Sequence, residues 1–263
     1  MFSPMRVFPV ASLIAGLLFV FACGSNRIVS GNQRALAPLF DGWPPVIVWA
    51  WQRPEDLSFI NPQQVGVSRL VETILLKGEG VIVEPNLNSL RVPVGTKLMA
   101  CARIESAPGF SATLSPSQAR EAAKQLASLA RSPDAKAVQI DFDATDSQRD
   151  FYRTLLVELR QRLPRPFPIS ITALGSWCFG DDWISNLPVD EAVPMLFRMG
   201  PDRASILLRL EDGDDFQEPL CRQSAGISTD EVVPRLPAGR RLYIFNPNPW
   251  TKATLDRTAI ISH

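Results

Sequence analysis

Residues 98–174 constrain this chain most, because β-rich and helical patterns alternate there as strand, helix, strand, helix, strand. Ser115, Pro116 and Gln118 provide an N-cap hydroxyl, a proline at the first helical position and a capping-box amide. Ala119, Ala122, Leu126 and Leu129 then mark one apolar face, and Pro133 stops the helix. A second helix is predicted over residues 146–163, with Phe151, Leu155, Leu159 and Leu163 in one stripe and Pro164 at its end. Strands joined in this way run parallel with right-handed crossovers. Two architectures satisfy that requirement, a TIM-type barrel and an open doubly wound sheet.

Strand-like runs recur at residues 46–51, 65–76, 98–104, 137–142, 167–174, 191–198 and 241–245. No glycine-rich phosphate loop follows any of them, which removes the usual signature of a nucleotide-binding open sheet. Polar and aromatic residues gather at their C-terminal ends, where a barrel carries its site. The sequence therefore predicts an α/β fold, a compact TIM-type (β/α)8 barrel, with an open doubly wound sheet as the alternative. Gly78-Glu79-Gly80 between β-rich arms predicts a hairpin inserted after strand two, and the gaps at 181–187 and 201–210 leave room only for shortened helices.

Charge excludes several functions, since 27 Lys+Arg balance 27 Asp+Glu and give no basic footprint for nucleic acid. The one histidine is His263, so Ser-His and Cys-His catalysis and His-rich metal sites lack their essential residue. The acidic runs at 181–182 and 211–215 do not match a calcium loop, and no metal or cofactor is expected. Residues 1–22 read as an export signal, with Arg6 preceding an apolar stretch from 7 to 22. The sequence Ala22-Cys23-Gly24-Ser25 resembles a lipobox, which makes Cys23 the candidate lipidated N-terminus and a membrane anchor. An ordinary cleaved signal and an uncleaved anchor are the alternatives, and all three place the protein outside the cytoplasm, in the cell envelope. Residues 23–39 read as a tether and 40–263 as the barrel. In an oxidising compartment Cys178 and Cys221, both in loop-like surroundings, are the expected disulfide, while Cys101 lies in an apolar run.

The chemistry concentrates in residues 138–144, VQIDFDA. Alternation directs Gln139, Asp141 and Asp143 to one face, the barrel mouth, and Val138, Ile140 and Phe142 to the other. Two carboxylates roughly 7 Å apart at Cα would repel, raising the proton affinity of one and leaving its neighbour ionised. Internal service as a helix cap and an Arg103 ion pair is the competing use of the same residues. Glu105 is the candidate second carboxylate, with Arg103 or Arg198 as its competing partners. Trp49, Trp51, Trp177 and Trp250 lie at predicted strand ends, and their flat faces suit sugar rings. Tyr243 and Asn246 end the last strand and, with Arg103, Gln139 and Arg198 on other strands, are the expected hydrogen-bonding partners of a substrate.

Ile140-Asp141-Phe142-Asp143 resembles the fourth strand of chitinase-like barrel glycosidases, in which the last acid protonates the glycosidic oxygen. Asp143 holds that position here, as Asp where the family has Glu. The wider chain resembles the uncharacterised bacterial family catalogued as domain of unknown function 3142, in residues 49–57, 139–144, 171–178 and 189–200. Gln52 stands where that family often has Glu. Together these resemblances imply an exported, glycosidase-like barrel rather than a reaction. The catalytic version of that barrel makes Asp143 the general acid, with Asp141 orienting and tuning it and Glu105 as second carboxylate or water-orienting group. A glycan or envelope polysaccharide is then the expected partner. The rivals are a non-catalytic polysaccharide- or protein-binding lipoprotein on a degenerate barrel, and a purely structural lipoprotein.

Overall fold

The computed structural model describes residues 40–164 and 166–259, so the expectations for the export signal, Cys23 and the tether lie outside the described residues. The elements in chain order are β1 (Val46–Ala50), β2 (Glu55–Asp56), β3 (Val65–Lys77), β4 (Gly80–Pro85), β5 (Leu90–Arg91) and β6 (Leu98–Ser106). There follow α1 (Pro116–Leu129), β7 (Ala135–Asp141), α2 (Arg149–Arg162), β8 (Ile169–Leu174) and α3 (Gly175–Cys178). The chain continues through β9 (Glu191–Met195), α4 (Arg203–Glu211), β10 (Ser224–Ser228), β11 (Arg241–Phe245) and α5 (Lys252–Ala259).

Eight parallel strands pair in the order β1, β11, β10, β9, β8, β7, β6, β3, and β3 pairs back onto β1. That last pairing decides between the two architectures, because an open sheet has two edges and this one closes into a (β/α)8 barrel. The helical layer is incomplete. The hairpin of β3 with antiparallel β4 stands where a helix would join β3 to β6, α3 is four residues long and α4 nine.

Local chemistry explains the elements. Ser115 Oγ accepts the Gln118 backbone N–H at 3.2 Å, capping α1. The Gln118 side chain does not close the expected capping box; its amide donates to Gly78 O at 2.9 Å and Gly80 O at 2.7 Å, tying the hairpin turn to α1. The register of β3 against β6 shifts between Leu70 and Glu72. Before that bulge Val65 and Val67 face the helical layer, and after it Ile74 and Leu76 do, so one extra residue exchanges the faces of a long strand.

β10 was absent from the predicted strands. Its sequence, SAGIS, lacks the bulky β-branched signal because Gly226 lies against the ring of Trp49; a Cβ there would meet Trp49 Cη2 at 3.1 Å. The interior is partly polar. Gln139 Oε1 accepts from Trp49 Nε1 and Ser68 Oγ, each at 2.8 Å, while Nε2 donates to Ser170 Oγ at 3.2 Å. Fully buried Glu191 accepts from Ser170 Oγ, from Tyr243 OH at 2.7 Å and from Arg241 at 3.0 Å. Outside the barrel wall the main core packs α1 and α2 onto the sheet, and Cys178 is bonded to Cys221 with Cα atoms 5.9 Å apart. Cys101 is a buried free thiol.

Candidate active site

A cavity of about 260 Å³ opens at the C-terminal end of the barrel. Five strands supply most of its wall: Trp49 and Trp51 from the β1 end, Arg103 from β6, Asp141 and Asp143 from the β7 end, Thr172 from β8, and Phe245 from β11. Met195, Phe197 and Arg198 follow from the β9 end, and Asp202 and Ile206 enter with the start of α4.

Strand alternation places the acids as expected, with Val138, Ile140 and Phe142 in the outer core and Asp141 directed inward. Asp141 lies opposite Arg103 in the β6–β7 register, and Thr172 Oγ1 donates to its Oδ1 at 2.9 Å. Burial raises its pKa to about 6, the charge of Asp143 adds to the rise, and the Thr172 hydrogen bond and Arg103 oppose it. Asp143 reaches solvent, yet the concave cleft strips enough water to raise its pKa too, with Arg103 opposing and Glu105 reinforcing.

Glu105 is engaged by Arg103 Nε at 2.5 Å, and the same nitrogen lies 3.9 Å from Asp141 Oδ2. Arg103 therefore sits between the two carboxylates. Glu105 faces a smaller adjoining cleft of about 200 Å³, together with Asp143 and Gln148. Arg103, Asp141 and Asp143 line both cavities, whereas Glu105 does not line the first.

The opposite wall is aromatic. Phe197 and Phe245 stack with centroids 5.6 Å apart and planes 3° from parallel. Trp51 meets Phe245 edge-on at 6.5 Å and Trp49 leans on Phe197 at 6.1 Å. The Arg198 guanidinium lies 5.0 Å from the Phe245 centroid. Its backbone is held at φ 51°, and its N–H donates to Glu231 Oε1 at 2.9 Å. A non-glycine residue in that region is strained, and here the strain sits at the rim of the cavity.

Five of the expected substrate-binding residues are placed elsewhere. Gln139 and Tyr243 are buried below the cavity, consumed by the interior hydrogen bonds. Trp177 belongs to α3 rather than a strand end and packs edge-on against Trp183 at 4.8 Å in the outer core. Trp250 is buried with its Nε1 donating to Trp49 O at 3.0 Å, and Asn246, after β11, accepts from Thr229 at the end of neighbouring β10 at 2.7 Å. These side chains hold the walls rather than face a ligand. Gln52 is exposed and does not line the cavity. Phe197, Phe245, Met195 and Thr172 were missed as site residues. The same period-two rule that found Asp141 would have found Phe245 from Tyr243, two positions earlier on the same face.

Among the described residues no three His, Cys, Asp or Glu side chains are grouped as metal ligands. No family model matches the chain. No curated protein matches it either. Among solved structures, a GH18 chitinase from Pseudoalteromonas aurantia is similar at 14% sequence identity, over 76% of this chain and 92% of that chain, with a TM-score of 0.42.

Proposed function

We propose that the barrel mouth receives a sugar ring of a glycan and that Asp143 and Asp141 serve hydrolysis of the glycosidic bond. One observation carries the reading: two carboxylates from one strand end, one of them titrating at about 6, open onto a cavity whose far wall is a stack of aromatic rings. Asp143, the more exposed acid, delivers its proton to the leaving glycosidic oxygen as the bond to the anomeric carbon breaks. Asp141, held by Thr172 and already ionised above about pH 6, stabilises the positive charge that develops on the ring. Water then adds to the anomeric carbon and its proton returns to Asp143.

A second reading, glycan binding without hydrolysis, is favoured by the Arg103–Glu105 contact, which occupies the remaining candidate acid. The experiment incubates the full-length protein and its Asp143→Asn variant with a panel of envelope polysaccharides, following new reducing ends and, separately, retention of the glycan. Hydrolysis lost in the variant supports catalysis; retention without hydrolysis in both proteins supports binding alone. Neither activity across the panel removes the glycan reading.

The resemblance to domain of unknown function 3142 and the lipobox at Cys23 belong to the same proposal, an envelope lipoprotein. The Cys178–Cys221 disulfide supports an oxidising compartment. Loss of fatty-acid labelling in Cys23→Ser tests the anchor, and equal labelling of both proteins excludes it.

A further inference from the structure

Within the glycan reading, on which this inference rests, the cavity has a charge pattern that a neutral sugar does not use. Asp141, Asp143 and Asp202 line it together with only two cations, Arg103 and Arg198. Each arginine is already approached by an acid from outside that lining: Arg103 by Glu105 at 2.5 Å and Arg198 by Asp230 at 3.7 Å. Among the described residues Asp143 and Asp202 have no ion-pair partner, although both are solvent-accessible. Five carboxylates thus surround two guanidinium groups.

The aromatic wall adds an independent preference of the same sign. Ring faces attract cations, and the Phe245 face already holds the Arg198 guanidinium at 5.0 Å. A ligand whose rings stack on Phe197 and Phe245 while its positive charge meets Asp143 and Asp202 would satisfy every group left unmatched. We propose that the site selects glycans bearing free ammonium groups, that is, de-N-acetylated amino sugars, over neutral or N-acetylated ones.

Calorimetric titration of the full-length protein near pH 7 tests this with three probes of equal length: a glucosamine oligomer, its fully N-acetylated counterpart and a cello-oligosaccharide. The ammonium oligomer is expected to bind roughly tenfold more tightly than either neutral probe, the scale of one partly screened charge contact. That advantage should shrink in high salt. Asp143→Asn and Asp202→Asn should each narrow the gap several-fold, weakening the ammonium oligomer more than the cello-oligosaccharide. Phe245→Ala should weaken all three probes.

Equal affinity for the three, or a gap untouched by both Asp→Asn variants, overturns the ammonium selectivity and leaves the glycan reading standing. Failure of every probe to bind overturns both. Because Asp143 and Asp202 are both exposed, neither variant is expected to disturb folding.

Discussion

Asp141→Asn should make the protein more stable at neutral pH, although it removes a residue assigned to the reaction. The folded carboxyl titrates at about 6 where an unperturbed one titrates at 3.8, and only 9% of the residue is exposed. Ionising it in the native state therefore costs about 3 kcal/mol relative to the unfolded chain. The native state binds more protons than the unfolded state between those two values. This group's favourable contribution is thus complete below about pH 4, declines as pH rises and is lost above about pH 6. Asparagine keeps the acceptor that Thr172 Oγ1 uses and carries no charge. Urea unfolding of both proteins, followed by tryptophan fluorescence from pH 4 to 8, should show a difference in favour of the variant that opens across this window and then levels. The difference isolates Asp141 from the titration of groups common to both chains. Parallel stability profiles, or a variant less stable than the parent at pH 7, would refute the account of Asp141 as a desolvated, like-charge-crowded acid.

Three further outcomes follow from the packing. Gly226→Val should cost about 1–3 kcal/mol, because the new side chain meets Trp49 Cη2 and Pro194 O inside the barrel; an unchanged urea midpoint would show that the interior yields there. Trp177→Ala should lower stability by about 3–5 kcal/mol, yet leave the glycan affinity of the folded fraction intact, whereas Phe245→Ala should do the reverse; matching effects of the two on affinity would contradict the assigned walls. Reducing Cys178–Cys221, which spans 43 residues, should cost roughly 2–5 kcal/mol, read as a fall in unfolding midpoint absent from a Cys178→Ser/Cys221→Ser double variant.

Residue patterns that act over short distances were the legible part of this molecule. Ser115 and Pro116 mark the start of α1, Gly78-Glu79-Gly80 marks the hairpin, and period-two alternation points Asp141 into the barrel. What was not legible depends on long-range contacts. SAGIS becomes a strand because the Trp49 ring needs space beside it, and nothing inside those five residues says so. Likewise an indole near a strand end can turn to either side of the wall: Trp49 and Trp51 face the cavity, Trp177 and Trp250 the outer core. Glu105 could be found as an acid near Asp143 with Arg103 or Arg198 in reach, but its engagement by Arg103 rather than Arg198 required the side-chain geometry.

Trp49 is fastened from several directions before any ligand arrives. Its indole N–H is held by Gln139, its backbone carbonyl receives the Trp250 N–H, and its ring is wedged between Gly226, Phe197 and Tyr243. Ordering a mobile side chain at a binding surface costs about 0.5–1.5 kcal/mol. Folding has already restricted this one, so an incoming molecule meets a wall whose shape is set in advance. Discrimination between ligands then rests on their fit to a fixed contour, and a poorly shaped one cannot be accommodated by swinging this indole aside.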